Sequence, residues 1–337
     1  MPLLQVTHLH IRLQTRQGPA DAVRNLSFTL GKGDTLGLVG ESGCGKSLTA
    51  LALMGLLPEG AQVSGSIQLN GQELVGMPER DLCSIRGNRI GMIFQEPMTA
   101  LNPVHSVGRQ IAEPLRLHKG LSAADARAKA VALLDRVGIA DAARRFDAYP
   151  HQFSGGQRQR VGIAMALACE PDVLVADEPT TALDASVQQQ ILGLISELVT
   201  ERGMGLVLIS HDLSLIARHV RRMLVMYGGT AVESGPTAAV FAQPAHPYTQ
   251  GLFGARPSLR TPRGQRLTTI AGTVPQLADL PAGCPFAGRC GLTMEDCFSV
   301  VPPVTEVAQG HEVRCLRVGE TLTPALSRER EREEGTP

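Results

Sequence analysis

The apolar positions of this 337-residue chain alternate with polar ones near its start and then gather into short continuous runs. Residues 9–13 have the two-residue alternation of a half-buried strand. Residues 35–39, 173–176 and 206–209 are almost wholly apolar and of strand length, which predicts strands buried on both faces. Residues 48–54 instead have the composition and length of a helix, and the glycine and proline that follow are placed to end it. The pattern therefore predicts an α/β core with antiparallel strands before it.

The middle of the chain has a helical pattern. Apolar residues from Ala130 to Val137 recur on one helical face, and Gly138 is placed to end that helix. We therefore predict an α/β domain over residues 1–240 that a helical insert interrupts at about residues 98–152. No internal repeat is apparent, so the chain has one such domain rather than a tandem pair.

Composition narrows the class of protein. Positive and negative side chains are 32 each, aromatic residues are 3%, and tryptophan is absent. A basic stripe with stacking aromatic residues is therefore missing, which argues against a nucleic-acid partner. No apolar stretch approaches the length of a membrane span, and the first residues do not form a secretory signal. We expect a soluble protein, with 43% hydrophobic residues for a large core.

One segment carries the pattern of a phosphate-binding loop, G-x-x-x-x-G-K-[ST]. Because it lies between a predicted strand and a predicted helix, its unpaired backbone N–H groups can point at an anion. Its glycines allow close approach of the backbone, Lys46 is placed to reach the β- and γ-phosphates, and the Ser47 hydroxyl is placed to bind Mg²⁺. The predicted nucleotide contacts are Gly40, Ser42, Gly43, Cys44, Gly45, Lys46 and Ser47.

Cys44 lies inside this loop, immediately before the predicted helix. A helix N-terminus lowers the pKa of a thiol. We therefore expect alkylation of Cys44 to inhibit the protein and bound MgATP to protect it.

Two carboxylates follow the apolar run of residues 173–176. Asp177 is placed at the carboxyl end of the strand, where it can hold Mg²⁺ directly or through water. Glu178 comes next and can polarise an attacking water as a general base. In a chain with a phosphate loop, this pair predicts nucleotide hydrolysis.

A second glycine-containing segment opens a helix at residues 154–157. Glycines before a helix make another anion-binding N-terminus. Since the chain already has one phosphate loop, Ser154, Gly155, Gly156 and Gln157 indicate contact with a second nucleotide. Gln95 lies between the phosphate loop and this segment, and His211 follows the apolar run of residues 206–209.

Together and in this order, these five motifs resemble those of the nucleotide-binding subunit of ATP-binding cassette (ABC) transporters. The resemblance implies a phosphate-loop NTPase (RecA-like) core with an antiparallel β subdomain and a helical insert subdomain. It also implies that Glu178, His211 and Gln95 are catalytic, with His211 at the γ-phosphate and Gln95 joining Ser47 and Asp177 as a Mg²⁺ contact. Residues 154–157 then close over ATP held by a partner subunit, and residues 182–184 match a segment that meets that subunit.

The family usually stacks adenine on an aromatic residue upstream of the phosphate loop. Leu13 stands there instead, which leaves an aliphatic surface or Arg16 for the base.

Four of the seven cysteines, Cys284, Cys290, Cys297 and Cys315, cluster near the end of the chain. A reducing compartment disfavours disulfides, and four thiolates suit Zn²⁺ or an iron–sulfur cluster, although the spacings exceed those of zinc knuckles. Residues 283–290 resemble the carboxy-terminal module of peptide-importer ATPases, some of which hold a [4Fe–4S] cluster. The resemblance favours that cluster over zinc or unligated thiols. It implies a small module over residues 241–318, and the charged residues 319–337 predict a disordered tail.

The whole resemblance implies an ATPase that powers uptake of dipeptides or oligopeptides from the cytoplasmic face of the inner membrane, as a peripheral subunit. Its implied partners are a second ATPase subunit, by expectation a paralogue in a heterodimer, two transmembrane permease subunits and an extracytoplasmic solute-binding protein. The same branch serves nickel, metal-chelate and glutathione uptake. A non-transport ABC ATPase is the alternative class, but the tandem cassettes or long coiled-coil insertion expected of it do not appear.

Overall fold

The computed structural model describes residues 1–95, 100–180, 183–255 and 269–318. Residues 98 and 99 of the predicted insert, Ala182 of the predicted partner contact and the predicted tail at 319–337 lie outside these ranges. The strands of the described residues are β1 (Leu4–Thr15), β2 (Gly18–Leu30), β3 (Thr35–Val39), β4 (Gln62–Leu69), β5 (Gln72–Glu73), β6 (Ile90–Ile93), β7 (Val173–Asp177), β8 (Gly205–Ile209), β9 (Arg222–Tyr227), β10 (Thr230–Pro236), β11 (Thr305–Ala308) and β12 (His311–Val313).

The helices of the same residues are α1 (Lys46–Leu53), α2 (Glu79–Ile85), α3 (Val107–Lys119), α4 (Ala123–Arg136), α5 (Ala142–Arg145), α6 (Gly155–Ala166), α7 (Ala185–Arg202), α8 (Leu213–His219), α9 (Thr237–Ala242) and α10 (Pro247–Gly254). Short 3₁₀ turns lie at Pro150–Gln152, Leu277–Asp279, Ala287–Arg289 and Glu295–Phe298. None of these helices is both long enough and apolar enough to cross a lipid bilayer.

An antiparallel sheet of four strands forms one layer, in the order β2-β1-β4-β5. The alternation predicted at residues 9–13 lies within β1, where Leu9 and Ile11 are fully buried. His10 and Arg12 lie on the opposite face, and both pair with Asp21 on β2. The buried face packs with α1 and the central sheet into one hydrophobic cluster.

The central sheet has eight strands in the order β11-β12-β10-β9-β3-β8-β7-β6. From β9 to β6 neighbouring strands are parallel, and β3, β7 and β8 are almost completely buried. This burial explains why their sequences read as continuous apolar runs. The predicted fold class, a phosphate-loop NTPase core with an antiparallel β subdomain, is confirmed.

Helices α3, α4 and α5 lie between β6 and α6, within the residues predicted as a helical insert. The apolar face of α4 is buried, with Ala130 and Leu134 fully inaccessible. Gly138 follows at a φ of 79°, a left-handed conformation that glycine adopts readily, and the helix ends.

The carboxy-terminal segment is joined to the central sheet, because β12 pairs with β10 and β11 pairs with β12. A buried hydrogen bond supports this junction: Nε2 of His311 lies 2.7 Å from Oε1 of Glu233. The other Glu233 oxygen accepts a hydrogen bond of 2.9 Å from the backbone N–H of His246, which precedes α10. The segment that contains the cysteines is therefore anchored to the same sheet that carries the phosphate loop.

Candidate nucleotide site

The predicted site residues meet at the carboxyl ends of four neighbouring strands. The phosphate loop follows β3, Gln95 follows β6, Asp177 ends β7 and His211 follows β8. Since these strands are parallel, their carboxyl ends share one edge of the sheet, where α/β proteins bind ligands. Motifs that are far apart along the chain thus converge on one place.

The phosphate loop turns from β3 into α1 through backbone that requires glycine. Gly40 has a φ of 150° and a Cβ there would collide with the Met226 carbonyl oxygen. Gly45 has a φ of 100°, and its Cβ would lie 2.7 Å from the Ala22 carbonyl oxygen. Any side chain at either position would displace the loop, so the glycines of the motif are needed for its shape.

Lys46 points back into this loop. Its Nζ donates to the carbonyl oxygens of Gly40 at 2.8 Å and Glu41 at 3.0 Å. The side chain is only 5% exposed. A cation enclosed by a glycine loop at the start of a helix is the arrangement that binds phosphate.

Cys44 does not have the lowered thiol pKa that its position before a helix predicts. It is buried beneath the loop, 1% exposed, and that burial raises the pKa of its thiol, although the Lys46 ammonium opposes the change. The expectation of a lowered pKa was wrong, because desolvation outweighs the charge of Lys46 and the hydrogen bonds that lower the pKa.

Asp177 offers a ligand for a divalent cation. Its side chain is buried, which raises the pKa of the carboxyl; a hydrogen bond with Ser47 acts in the opposite direction. Within the described residues its Oδ1 is buried and has no hydrogen-bond partner. A buried, uncompensated carboxylate oxygen next to a hydroxyl fits Mg²⁺, which prefers hard oxygen ligands. Ser47 and Asp177 are thus brought together as predicted.

Glu178 lies between the other two predicted catalytic residues. Its Oε2 is 3.3 Å from Nε2 of Gln95 and 3.2 Å from Nδ1 of His211. Its backbone has a φ of 45°, a left-handed conformation uncommon outside glycine, and its N–H donates to Ile209 at 3.0 Å. Strained backbone of this kind is concentrated at functional sites.

The second glycine segment forms the first turn of α6. Ser154 Oγ accepts from the Gln157 N–H at 3.3 Å, and the Ser154 N–H donates to Gln157 Oε1 at 3.0 Å. This capping box fixes the helix start, while Ser154 and Gly155 are exposed. Asp184 caps the following helix, α7, by accepting from the N–H groups of Ser186 and Val187. Residues 154–157 therefore form a capped N-terminus of α6 at the surface.

The four carboxy-terminal cysteines line one small cavity of about 20 Å³, together with His246 and Phe286. All seven cysteines are free thiols. Burial raises the pKa of Cys284 to about 11, and burial also raises the pKa values of Cys290 and Cys315. Among the described residues, no group of three or more His, Cys, Asp or Glu side chains meets the geometry of a metal-ion site.

Two contacts to the phosphate loop were not predicted from the sequence. The Glu41 N–H donates to Oη of Tyr248 at 2.8 Å, and the Glu41 carboxylate pairs with Arg289 at 2.7 Å. Tyr248 and Arg289 lie more than 200 residues further along the chain. No local sequence pattern indicates contacts across such a distance along the chain.

Known proteins match the chain in two regions. The family profile described as "ABC transporter" matches residues 23–181, and the profile described as "Oligopeptide/dipeptide transporter, C-terminal region" matches residues 232–297. The oligopeptide transport ATP-binding protein OppD of Salmonella typhimurium is 48% identical over 320 residues, which cover 95% of each chain. OppD of Escherichia coli is also 48% identical, over 95% of this chain and 94% of its own.

Solved structures agree with these relatives. A dimeric structure of the ATP-binding cassette MJ0796, bound to ADP and Pi, aligns with a TM-score of 0.63 and 26% identity, covering 69% of this chain and 98% of its own. The cbiO1 structure from Clostridium perfringens has a TM-score of 0.60 and 26% identity, over 72% of this chain and 92% of its own. The chain belongs to the ATP-binding subunits of ABC transporters, a class of ATPases. Within that class it is a member of the oligopeptide/dipeptide transporter family.

Proposed function

We propose that the chain binds and hydrolyses MgATP to power an importer of oligopeptides or dipeptides. The observation that carries the proposal is the convergence of Glu178, Gln95 and His211 beside Asp177 and the phosphate loop. The family membership and the named activity of the OppD relatives support the transported class.

Each residue has a task in this reaction. Lys46 gives up its contacts with the backbone of the loop and binds the β- and γ-phosphates, because phosphate oxygens are stronger acceptors than carbonyl groups. Ser47 and Asp177 would hold Mg²⁺, with Gln95 as a further contact, and the bound ion would supply positive charge at the phosphates. Glu178 accepts a proton from the attacking water or orients it, and His211 contacts the γ-phosphate.

A pair of subunits completes the site. The capped helix start at residues 154–157 has Ser154 and Gly155 exposed to a second chain, and we assign it to ATP held by a partner subunit. The dimeric MJ0796 structure supports such a pair. We propose that the partner is a paralogue in a heterodimer, on the cytoplasmic face of the membrane with two permease subunits and a solute-binding protein.

We also propose that Cys284, Cys290, Cys297 and Cys315 hold a [4Fe–4S] cluster. Their convergence on one cavity supports a shared ligand. Among the described residues no group of three or more His, Cys, Asp or Glu side chains has the geometry of a metal site, and the cavity is smaller than such a cluster, so the four cysteines would have to move apart to hold it. The test is iron, sulfide and zinc analysis of protein purified without oxygen. Stoichiometric zinc, or no metal, would refute the cluster.

Reconstitution tests the function. The chain is purified together with its permease and paralogue and reconstituted in liposomes. ATP hydrolysis is then measured in the presence of the solute-binding protein and, in separate assays, a peptide mixture, nickel or glutathione. We expect peptides to stimulate hydrolysis and Lys46→Ala to abolish ATP binding. Stimulation by nickel or glutathione instead would reassign the solute. Full ATP binding by Lys46→Ala would refute the assignment of the nucleotide site.

A further inference from the structure

We propose that Arg289 and Tyr248 are positioning residues for the phosphate loop, so that the packing of the carboxy-terminal cysteine segment sets the affinity for ATP. Both act on Glu41, the second residue of the loop. The inference rests on the proposed assignment of residues 40–47 to nucleotide binding.

Arg289 is held in a single arrangement. Its side chain is only 6% exposed, and its two terminal nitrogens donate to the Glu41 carboxylate at 2.7 and 3.3 Å. The same guanidinium donates to Oη of Tyr227 at 3.2 Å and to the carbonyl oxygens of Ala271 at 2.9 Å and Gly272 at 3.3 Å. Because guanidinium is planar with donors in fixed directions, these acceptors determine where Glu41 lies.

Tyr248 fixes the backbone of the same residue. Its buried hydroxyl accepts the Glu41 N–H, and its ring packs against Tyr227 and Phe286 at centroid distances of 4.7 and 5.3 Å. The backbone N–H of Tyr248 donates to Nδ1 of the buried His246 at 3.0 Å, which orients the start of α10. The tyrosine therefore has little freedom to move away from the loop.

Glu41 transmits this restraint to the phosphate site. Its carbonyl oxygen accepts from Lys46 Nζ, so one residue contacts Arg289 through its carboxylate, Tyr248 through its N–H and the phosphate-binding lysine through its carbonyl. If Glu41 moves, the next peptide N–H of the loop and Lys46 move with it. An anion site binds well when its donors are already in place, so losing the restraint lowers affinity.

The cysteine segment controls Arg289 and the aromatic cluster. Arg289 ends a short 3₁₀ turn, its N–H donates to the Phe286 carbonyl at 3.0 Å, and Cys290 follows directly. The Cys284 N–H donates to the Cys297 carbonyl oxygen at 2.7 Å, which joins the beginning of the segment to its third cysteine. A change at the cysteines therefore reaches Glu41 through directly contacting residues.

The test is ATP binding by isothermal titration calorimetry on the purified full-length chain. We expect Arg289→Ala to raise the Kd for ATP about tenfold, a typical coupling between connected sites, and Tyr248→Phe to raise it by a smaller factor. Arg289→Lys should recover part of the loss, because a lysine keeps the charge without the planar fork. The matched control is Arg127→Ala, which removes an equally bidentate pair, with Asp147 in the helical insert, and should leave the Kd unchanged.

A double substitution shows whether Arg289 acts through Glu41. Glu41→Gln with Arg289→Ala should bind ATP no more weakly than Arg289→Ala alone. If Arg289→Ala fails to fold by circular dichroism, Tyr248→Phe and Glu41→Gln decide the matter, because both preserve side-chain volume. If these variants keep the wild-type Kd for ATP while Lys46→Ala loses binding, the inference is overturned and the ATPase assignment stands. If Lys46→Ala still binds ATP, the ATPase assignment itself is overturned.

Discussion

Replacing Glu178 by glutamine separates the hydrolysis of ATP from its binding. The amide has the size of the carboxylate and keeps one carbonyl oxygen, which can still accept from Gln95 at 3.3 Å and from His211 at 3.2 Å. The left-handed backbone at a φ of 45° is unaffected by the change. The arrangement of the site therefore survives, and only the ability to accept a proton from water is removed.

The expected loss follows from that single function. General-base catalysis contributes about 10²–10⁴-fold to rate, which corresponds to about 2.7–5.4 kcal/mol of transition-state stabilisation. The turnover number at saturating MgATP should fall by that factor, while the Kd for ATP stays within about twofold. Because ATP then remains bound, Glu178→Gln should also accumulate as a nucleotide-containing pair of subunits in size-exclusion chromatography.

The matched control is Glu201→Gln, on the exposed face of α7, where the glutamate pairs with Arg136. It makes the same chemical change away from the site and should leave turnover unaltered, since exposed ion pairs contribute little. Near-normal turnover in Glu178→Gln would refute the assignment of Glu178 as the base. A fall in turnover accompanied by an equal loss of ATP affinity would show instead that the glutamate shapes the site.

Three further outcomes follow from the same contacts. Asp177→Asn should abolish Mg²⁺-dependent hydrolysis yet raise the melting temperature of the nucleotide-free protein at pH 7. Burial raises the pKa of Asp177 in the folded protein, so the ionised carboxylate costs stability near neutral pH. The advantage of asparagine should vanish at a pH below the ordinary carboxyl pKa of 3.8, where the aspartate is neutral in both the folded and the unfolded state. An unchanged melting temperature at pH 7 would contradict this expectation. Peptide mapping after thiol alkylation should show exposed Cys83 modified long before buried Cys44, with or without MgATP, and equal labelling rates would refute the burial argument. Gly45→Ala should weaken ATP binding at least tenfold in titration calorimetry, because its Cβ would collide with the Ala22 carbonyl oxygen. The control Gly162→Ala, with no atom within 4 Å of its Cβ, should bind ATP normally. Normal binding by Gly45→Ala would show that the loop tolerates the displacement.

Local patterns in the sequence were enough for the elements and for the separate motifs. Continuous apolar runs predicted β3, β7 and β8, because a strand buried on both faces needs apolar residues at every position. The phosphate loop and the Asp177–Glu178 pair were recognisable for a similar reason. Their chemistry depends on residues that are neighbours in the chain.

Only the tertiary structure decided which distant groups meet and which are removed from water. The order of parallel strands places Gln95 against Glu178, which lies 83 positions further along the chain. An ion pair joins Glu41 to Arg289 across 248 positions. Cys44 shows the second limit: its position before a helix is visible in the sequence, but its burial is not, and burial sets the direction of its pKa. Periodicity encodes the local backbone and the face it buries, whereas long-range pairing and desolvation depend on how the sheets and the carboxy-terminal segment pack together.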